Sequence, residues 1–281
     1  MEKIKITADS ICDLPADILA AHDITIIPLC IHLGDQEERD HPGIDEKIYA
    51  YYHQTKKTPK TSALSIPEYQ EFFAANLPQG GALIHFNISS DASSTHANAV
   101  AAAKDFDNVY VIDSRSLTTG TAISMLRAVK LRDEGLSAAE IVNRINAQIN
   151  KVQCSFILED LTYLHRGGRC SGTAKIFATA LHIKPQIVLK DGKMEPGKKF
   201  IGNFNICVKK YVDYVFANNP EPDLSICFIT HTKMSNPQIV NTVKEQVLAR
   251  YPFERVVETI AGGTVTAHCG ENTIGIIYGL K

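Results

Sequence analysis

The sequence lacks a marked excess of charge of either sign. Its 29 lysine and arginine residues nearly balance its 31 aspartate and glutamate residues, and the formal net charge at neutral pH is -2. A protein that attracts nucleic acid or an anionic membrane through its overall field usually carries a clear basic excess. The charge balance therefore argues against both classes of partner, and we expect no nucleic-acid ligand.

Long apolar segments are also absent from the sequence. The apolar run from residue 24 to residue 33 is interrupted by Pro28 and His32, whereas a membrane-spanning helix needs about 20 apolar residues. The amino terminus enters a strand-like alternation at once, without the apolar core and cleavage site of a signal peptide. We therefore expect no stable membrane insertion and a location in the cytoplasm.

The local signatures of metal centres, nucleotide sites and hydrolases are missing as well. The seven cysteines include no Cys-x-x-Cys pair, and the ten histidines show neither His-x-x-x-His nor His-Glu-x-x-His spacing. There is no Walker loop, no Gly-x-Gly-x-x-Gly fingerprint and no Gly-x-Ser-x-Gly elbow. We expect no metal and no cofactor, and we expect the cysteines to be reduced thiols buried as small apolar side chains.

The composition that remains is that of a globular protein with a substantial core. Hydrophobic residues make up 44% and charged residues 21% of the 281 positions, which excludes a disordered or coiled-coil chain. This length exceeds the usual span of one core, and beyond residue 152 the chain becomes richer in glycine, proline and lysine. We therefore predict two α/β domains, at residues 1–152 and 153–281.

Strands alternate with helices throughout the first of these domains. The hydrophobic pattern predicts strands at residues 4–8, 24–33, 81–88 and 109–112. Such alternation is typical of a doubly wound, mostly parallel sheet, in which ligands bind beyond the carboxyl ends of the strands. We also predict that Ser10 or Asp13 caps the first helix and that residues 34–40 form a solvated hairpin loop without a chemical role.

The second domain is predicted to combine strands with helices. The predicted helices lie near residues 160–166, 172–181, 203–218 and 236–250. The predicted strands lie at residues 153–158, 224–230, 254–260 and 274–279, with a hairpin from 187 to 194.

Hydroxyl side chains gather where strands of the first domain end. Three clusters of this kind lie at residues 61–62, 89–95 and 114–119. Hydroxyl groups and the exposed amides of a helix N-terminus can bind an anion without any lysine. Each cluster alone would be an ordinary cap or turn, but three at one sheet edge favour a small anionic ligand.

Two segments of the second domain carry further groups that suit an anion. Arg166 and Arg169 stand on either side of a glycine pair, whose backbone permits close approach. Residues 262–272 are glycine-rich and predicted to form turns, and they expose His268, which can donate to an anion or move a proton. These groups are expected to meet the hydroxyl clusters around one ligand.

Seven motifs, spread over nearly the whole chain, occur in an order that one known family shows. They lie at residues 7–15, 59–65, 88–95, 112–116, 160–169, 183–187 and 267–270. On these motifs the chain resembles the DegV family, fatty-acid-binding proteins that serve a bacterial fatty acid kinase. Several spaced motifs in the right order make the resemblance specific.

The resemblance implies two α/β domains with a long-chain fatty acid in a tunnel between them. The residues it implies for binding the carboxylate are Thr61, Ser62, Ser93, Ser94 and His268. It implies that Arg169 and Arg166 lie at the edge of the site or contact a partner. In such a system a separate kinase subunit phosphorylates the bound carboxylate and an acyltransferase takes the acyl phosphate, so the protein itself is expected not to be an enzyme.

Four positions depart from the usual pattern of that family. Ser94 and Asn272 replace glycines, Glu271 replaces a proline, and Ile201 replaces an arginine. The lost glycines are expected to alter two backbone turns near the carboxylate. The change at Ile201 makes lipid binding a safer expectation than partnership with a kinase.

Two other functions remain open at the level of the residues. Ser93, His268 and Asp9 could form a nucleophile, a base and an orienting acid, which would make the protein a hydrolase or acyltransferase. The cleft could also bind a different small anion. Acyl-ester turnover that depends on Ser93 would separate the enzyme from a binding protein.

Overall fold

The structure is a computed structural model that describes residues 2–170, 183–219 and 221–281. Its strands are β1 (Ile4–Asp9), β2 (Ile24–Ile27), β3 (Cys30–Leu33), β4 (Gln36–Arg39), β5 (Lys60–Ser62), β6 (Ala82–Asn87), β7 (Val109–Asp113), β8 (Val152–Leu158), β9 (Ile183–Lys190), β10 (Lys193–Ile201), β11 (Pro222–His231), β12 (Val256–Ile260) and β13 (Thr273–Leu280). Its helices are α1 (Ala16–Ala21), α2 (Ile44–Thr55), α3 (Ile66–Asn76), α4 (Thr95–Ala103), α5 (Thr119–Asp133), α6 (Ala138–Ala147), α7 (Thr162–Gly167), α8 (Phe204–Asn218), α9 (Gln238–Arg250) and α10 (Gly263–Cys269). The helix predicted at 172–181 lies outside the described residues.

A four-stranded parallel sheet forms the first half of the molecule. Its strand order is β2-β1-β6-β7, and each neighbouring pair is parallel. All six residues of β6 are buried, as a strand covered on both faces requires. The predicted α/β fold with a parallel sheet is therefore confirmed, and the carboxyl ends of its strands share one edge.

A six-stranded mixed sheet forms the second half. Its order is β10-β9-β8-β13-β11-β12, and only the β11–β12 pair is parallel. The predicted hairpin is confirmed as β9 and β10, which turn at Asp191 and Gly192. Both turn residues have positive φ, 48° and 83°, which suits the right-handed twist of the flanking strands.

The predicted single strand at 24–33 is wrong, because two strands of different sheets occupy it. β2 ends at Ile27 and β3 begins at Cys30. Pro28 lies between them, and it has no amide hydrogen with which to continue a ladder. β3 belongs to a separate antiparallel sheet of order β4-β3-β5.

The predicted solvated hairpin loop at 34–40 is correct only in part: Gly34 and Asp35 form an exposed turn between the antiparallel strands β3 and β4, but the rest is not a solvated loop. Residues 36–39 form β4, and the side chain of Asp40 is buried, with 8% of its surface exposed. A carboxylate buried to that extent needs hydrogen-bond donors, and these come from a helix far away in the sequence.

Two expectations about helix ends are corrected by the structure. α1 begins after Pro15 without a side-chain cap, since the Ser10 hydroxyl donates to Asp40 and Asp13 accepts from the Gly262 amide. The predicted turn-rich segment 262–272 contains α10 instead. In both cases, contacts between distant segments replace the local cap or turn that the sequence favours.

The two larger sheets share one apolar core. One cluster of buried side chains includes Ile6 and Phe86 of the parallel sheet together with Phe156 and Leu158 of the mixed sheet. Helix α5 packs against strands of both sheets. A division into domains at residue 152 therefore remains a proposal.

All seven cysteine side chains are buried, as predicted. Within the described ranges, no helix is long and apolar enough to cross a membrane.

Candidate functional site

A cavity of about 330 Å³ lies at the carboxyl edge of the parallel sheet. Its size falls in the range of about 300 to 1,000 Å³ that small-molecule sites occupy. The apolar residues that line it include Ile11, Leu29, Ile88, Leu117, Phe156, Leu164, Met194 and Val265. The polar lining includes Thr61, Ser62, Ser90, Ser93, Ser94, Arg169, Thr264 and His268. The wall is thus apolar over much of its area and rich in hydroxyl groups elsewhere.

A hydrogen bond joins the two halves of the chain within this cavity. The Oγ1 atom of Thr61, in β5, lies 2.8 Å from Nε2 of His268, in the last turn of α10. α10 packs against β3 and β5, so a helix near the carboxyl terminus lies on the small sheet of the first half. The structure therefore brings together two residues that are 207 positions apart.

His268 is an uncharged imidazole at neutral pH. Burial, with the positive charge of Arg169 acting in the same direction, lowers the pKa of His268 to about 4. Among the described residues, no hydrogen-bond partner reaches the buried Nδ1 atom. A Cβ atom built on Gly167 would lie 2.4 Å from that nitrogen, so a glycine at 167 is what allows the ring to occupy this place.

Ser62 lies beside Thr61 but makes a different contact. Its Oγ atom is 2.9 Å from Nε2 of His32, which lies in the neighbouring strand β3. Both Ser62 and Thr61 line the cavity. β5 is only three residues long, yet it supplies two hydroxyl groups to the cavity.

Ser93 and Ser94 belong to the loop between β6 and α4, and both line the cavity. The Ser93 hydroxyl oxygen accepts a hydrogen bond from the amide of Thr95, at 3.2 Å, so its hydrogen can be donated elsewhere. Ser94 precedes the first residue of α4 and makes no side-chain capping bond. The structure therefore brings these two serines to the same cavity as Thr61, Ser62 and His268.

The two predicted arginines lie in different places. Arg169 lines the cavity, and its Nη1 atom donates to the carbonyl of Gly167 at 2.7 Å. Arg166 is exposed, donates to the carbonyl of Lys56 at 2.7 Å and lines a neighbouring cavity instead. Of the two arginines, only Arg169 therefore lies at this site, where the Asp91 carboxylate also lines the cavity.

The third hydroxyl cluster, at 114–119, does not face the cavity as expected. Its serine and threonine side chains are buried, and three of them are bonded elsewhere: Thr119 to Thr230 at 2.7 Å, Thr118 to Asp13, and Ser114 to Thr121 at 3.0 Å. The buried Ser116 hydroxyl has no hydrogen-bond partner among the described residues. Among the described lining residues, Leu117 is the one this segment contributes. The prediction that this cluster lies at the end of a strand was correct. The sequence pattern did not show in which direction its side chains point.

Asp40 is the residue that sequence reasoning missed. Its carboxylate accepts hydrogen bonds from the amides of Gly263 and Thr264, at 2.8 and 3.0 Å, and from the Thr264 hydroxyl at 2.6 Å. A carboxylate at a helix N-terminus is stabilised by the unpaired amides there. Asp40 therefore fixes the start of α10, the helix that carries His268. An acid after a charged strand gives no local signal of this role.

Asp13 holds the same helix end by a second contact. Its Oδ1 atom accepts from the amide of Gly262 at 2.9 Å. Burial raises the pKa of Asp13 to about 8. Together, Asp13 and Asp40 connect the first half of the chain to α10.

Ser94 and Asn272, which stand where the family usually has glycine, both have backbone conformations that their residue types tolerate. Ser94 has φ of -73°, a conformation open to any residue. Asn272 has φ of 54°, in the left-handed region where asparagine is among the tolerated residues, and its Oδ1 atom accepts from the Ser235 amide at 2.7 Å. Glu271 lies 3.5 Å from the Lys233 ammonium, and Ile201 is 72% exposed.

The arrangement required of a Ser93, His268 and Asp9 triad is not formed. His268 bonds to Thr61, and Asp9 accepts from the Asn87 side chain and the Ile88 amide at 3.2 and 3.0 Å. Within the described part of the chain, no group of three or more histidine, cysteine, aspartate or glutamate side chains is arranged to hold a metal ion.

One protein family matches this sequence over nearly its whole length. The family model for the uncharacterised proteins of the DegV family matches residues 3–281. A DegV domain-containing protein of Clostridium perfringens is 32% identical over 286 residues, covering 99% of each chain.

Solved structures show the same fold. A DegV family protein from Thermus thermophilus, which is described as binding fatty acid, has a TM-score of 0.90 at 24% identity. The match covers 100% of each chain. A stearic acid-binding protein from Eubacterium ventriosum has a TM-score of 0.84 at 26% identity, with 99% of each chain covered. With a family match over nearly every residue and this relative in Clostridium perfringens, the chain belongs to the DegV family.

Proposed function

We propose that the protein binds one long-chain fatty acid in the cavity. The observation that carries the proposal is the continuity of an apolar wall with a group of hydroxyls around an uncharged histidine. The carboxylate-binding residues of the proposal are Thr61, Ser62, Ser93, Ser94 and His268, with Arg169 at the edge. The proposed ligand is a substrate or cargo, and no cofactor takes part.

The hydroxyl groups suit a carboxylate because a buried anion needs several donors. With a proton on Nε2, His268 donates to Thr61 and leaves the Thr61 hydroxyl hydrogen for the ligand. Ser93 has its oxygen engaged by the Thr95 amide and its hydrogen available in the same way. Hydrogen bonds of this kind to a charged group contribute about 1.5–3 kcal/mol each.

The apolar wall suits the acyl chain. Each methylene removed from water contributes about 0.8 kcal/mol, so the tail supplies most of the affinity and the polar end fixes the orientation. The near-neutral net charge of the protein fits a ligand held in this way. Side chains such as Phe156, Leu164 and Met194 would then decide chain length and unsaturation.

The solved relatives support this proposal. The Thermus thermophilus protein is described as binding fatty acid, and the Eubacterium ventriosum protein as binding stearic acid. Both structures cover at least 99% of this chain. The fold in which they bind their ligands is therefore shared along its length.

The proposal extends to what happens to the ligand. A separate kinase subunit would phosphorylate the carboxylate, and an acyltransferase would receive the acyl phosphate. In this scheme the protein binds and presents the ligand in the cytoplasm without catalysing a reaction. Arg169 and the exposed Arg166 are the groups proposed to lie toward such a partner.

Extraction of the purified full chain tests the binding step. We expect denaturation and organic extraction, followed by mass spectrometry, to release about one fatty acid per chain. Absence of fatty acid in the extract, together with failure of the protein to bind added stearic acid, would contradict the proposal. Hydrolysis of acyl esters that disappears in Ser93→Ala would instead favour the enzyme.

A further inference from the structure

We propose that a second cavity, adjacent to the first, binds a phosphate group. It has a volume of about 430 Å³ and lies between the end of α2, the strands β3 and β5, and α7. Four cationic side chains line it, namely Lys56, Lys57, Lys60 and Arg166. They come from two segments of the chain that are distant in sequence, residues 56–60 and helix α7.

The positive charge of this cavity is largely uncompensated. Within the described residues, none of the four cations forms a salt bridge with a carboxylate. The acid among the described lining residues is Asp35, and the carboxyl end of α2 adds about half a negative charge. Arg166 donates to the carbonyl of Lys56, and the Lys56 ammonium lies over the Tyr52 ring. Neither contact supplies a negative charge, so most of the cationic charge is not balanced by a carboxylate among the described residues, although the whole chain has a net charge of -2.

The donors present suit phosphate in particular. A guanidinium group binds phosphate through paired N–H donors, and lysine ammonium groups add point charges. Tyr51 and Thr58, which also line the cavity, provide hydroxyl donors. A phosphate ester or polyphosphate carries two or more negative charges and so balances several cations at once, whereas a carboxylate balances one.

The two cavities share a wall. Lys60 lies opposite His32 in the pairing of β5 with β3, and both residues line the basic cavity. His32 in turn bonds to Ser62 of the first cavity, Nε2 to Oγ, at 2.9 Å. Strand β5 therefore contributes Lys60 to the basic cavity and Thr61 and Ser62 to the first cavity.

Calorimetric titration of the full chain with inorganic pyrophosphate tests the inference. At about 0.15 M ionic strength set by sodium chloride, we expect saturable binding at one site. The double variant K57Q/K60Q should bind at least tenfold more weakly, equivalent to about 1.4 kcal/mol. Both lysines are exposed, so these substitutions leave the core unchanged.

The matched control is K104Q/K130Q, which removes the same charge from two exposed lysines outside the cavity. It should bind pyrophosphate as the unaltered chain does. Absence of saturable binding, or equal weakening in both double variants, would overturn the proposal.

A second titration distinguishes the source of the phosphate. Dihexanoyl phosphatidate carries the group on a short lipid, and pyrophosphate carries it on a soluble molecule. Tighter binding of the lipid, lost in K57Q/K60Q, assigns the cavity to a lipid phosphate, and tighter binding of pyrophosphate assigns it to a soluble one. Failure of both probes to bind would contradict the inference, whatever the first cavity holds.

Discussion

The Asp40 carboxylate accepts hydrogen bonds from both the amide and the hydroxyl of Thr264, at 3.0 and 2.6 Å. These residues are 224 positions apart. Thr264 lies in the first turn of α10, and His268 lies in its last turn. The contact therefore sets the position of His268 from a residue of the first half of the chain.

Replacement of Asp40 tests this relationship. In Asp40→Asn, the amide group would point a donor at backbone amides that are themselves donors, leaving buried groups unpaired. We expect a loss of about 1–3 kcal/mol in the free energy of unfolding, measured by urea denaturation. Asp107→Asn, which alters an exposed aspartate in a turn, should change it by less than about 0.5 kcal/mol. Similar losses in both variants would contradict the role of Asp40.

Gly167 provides a second test, because it lies against the His268 ring. In Gly167→Ala the new Cβ would meet Nδ1 of His268 at 2.4 Å and displace the ring from Thr61. Alanine is the better helix former by about 1 kcal/mol, so the helix itself should not be destabilised. We expect weaker retention of fatty acid, measured by competition with a fluorescent fatty acid.

A double-mutant cycle provides the control for Gly167. In a His268→Ala background, the clash has no ring to act on, so the same glycine substitution should have little effect on retention. An undiminished effect in that background would show that Gly167 acts through something other than His268.

Ser93 is proposed to donate to the carboxylate, whereas Cys12 is a buried thiol that is not among the described lining residues. We therefore expect Ser93→Ala to weaken fatty acid binding at least tenfold, equivalent to about 1.5–3 kcal/mol. Cys12→Ala should leave affinity nearly unchanged in the same competition assay. Equal affinity in both variants would refute the assignment of Ser93.

The lowered pKa of His268 predicts a dependence of stability on pH. His268 has a pKa of about 4 in the folded chain, against an ordinary value of 6.5. Between these values the unfolded chain binds a proton that the folded chain does not. The contribution of His268 is therefore complete above about pH 6.5 and is lost as pH falls toward 4.

Urea denaturation of the ligand-free chain and of His268→Gln checks this dependence. The difference in unfolding free energy between the two should shrink as pH falls from about 6.5 to about 4 and should stay constant above that range. Subtraction is needed because buried His85, with a pKa of about 3, contributes in the same direction. A difference that does not vary with pH would contradict the lowered pKa.

The sequence was sufficient for most of the secondary structure. Alternating apolar strands and amphipathic helices have local causes, so β1, β6 and β7 were found with small errors at their ends. Where an isolated feature interrupts a pattern, the prediction was wrong, as at Pro28, which divides one apolar run between two sheets.

The candidate site was predictable only in part. Thr61, Ser62, Ser93, Ser94, Arg169 and His268 all line one cavity, which the family resemblance had implied. Asp40 was missed because its partners on α10 become neighbours only after the chain has folded. For the same reason, the pattern could not show that Thr118 and Thr119 turn toward buried partners rather than the cavity.

The most direct test of the central claim is a carbon-13 NMR spectrum of the full chain with carboxyl-labelled stearic acid. We predict a bound carboxyl resonance, distinct from free stearate, that shifts in Ser93→Ala and in Thr61→Val. It should not shift in Ser116→Ala, since Ser116 is not among the described lining residues of the cavity. Absence of a bound resonance, or a resonance that both site variants leave in place, would contradict the claim that these hydroxyls hold the carboxylate of a fatty acid.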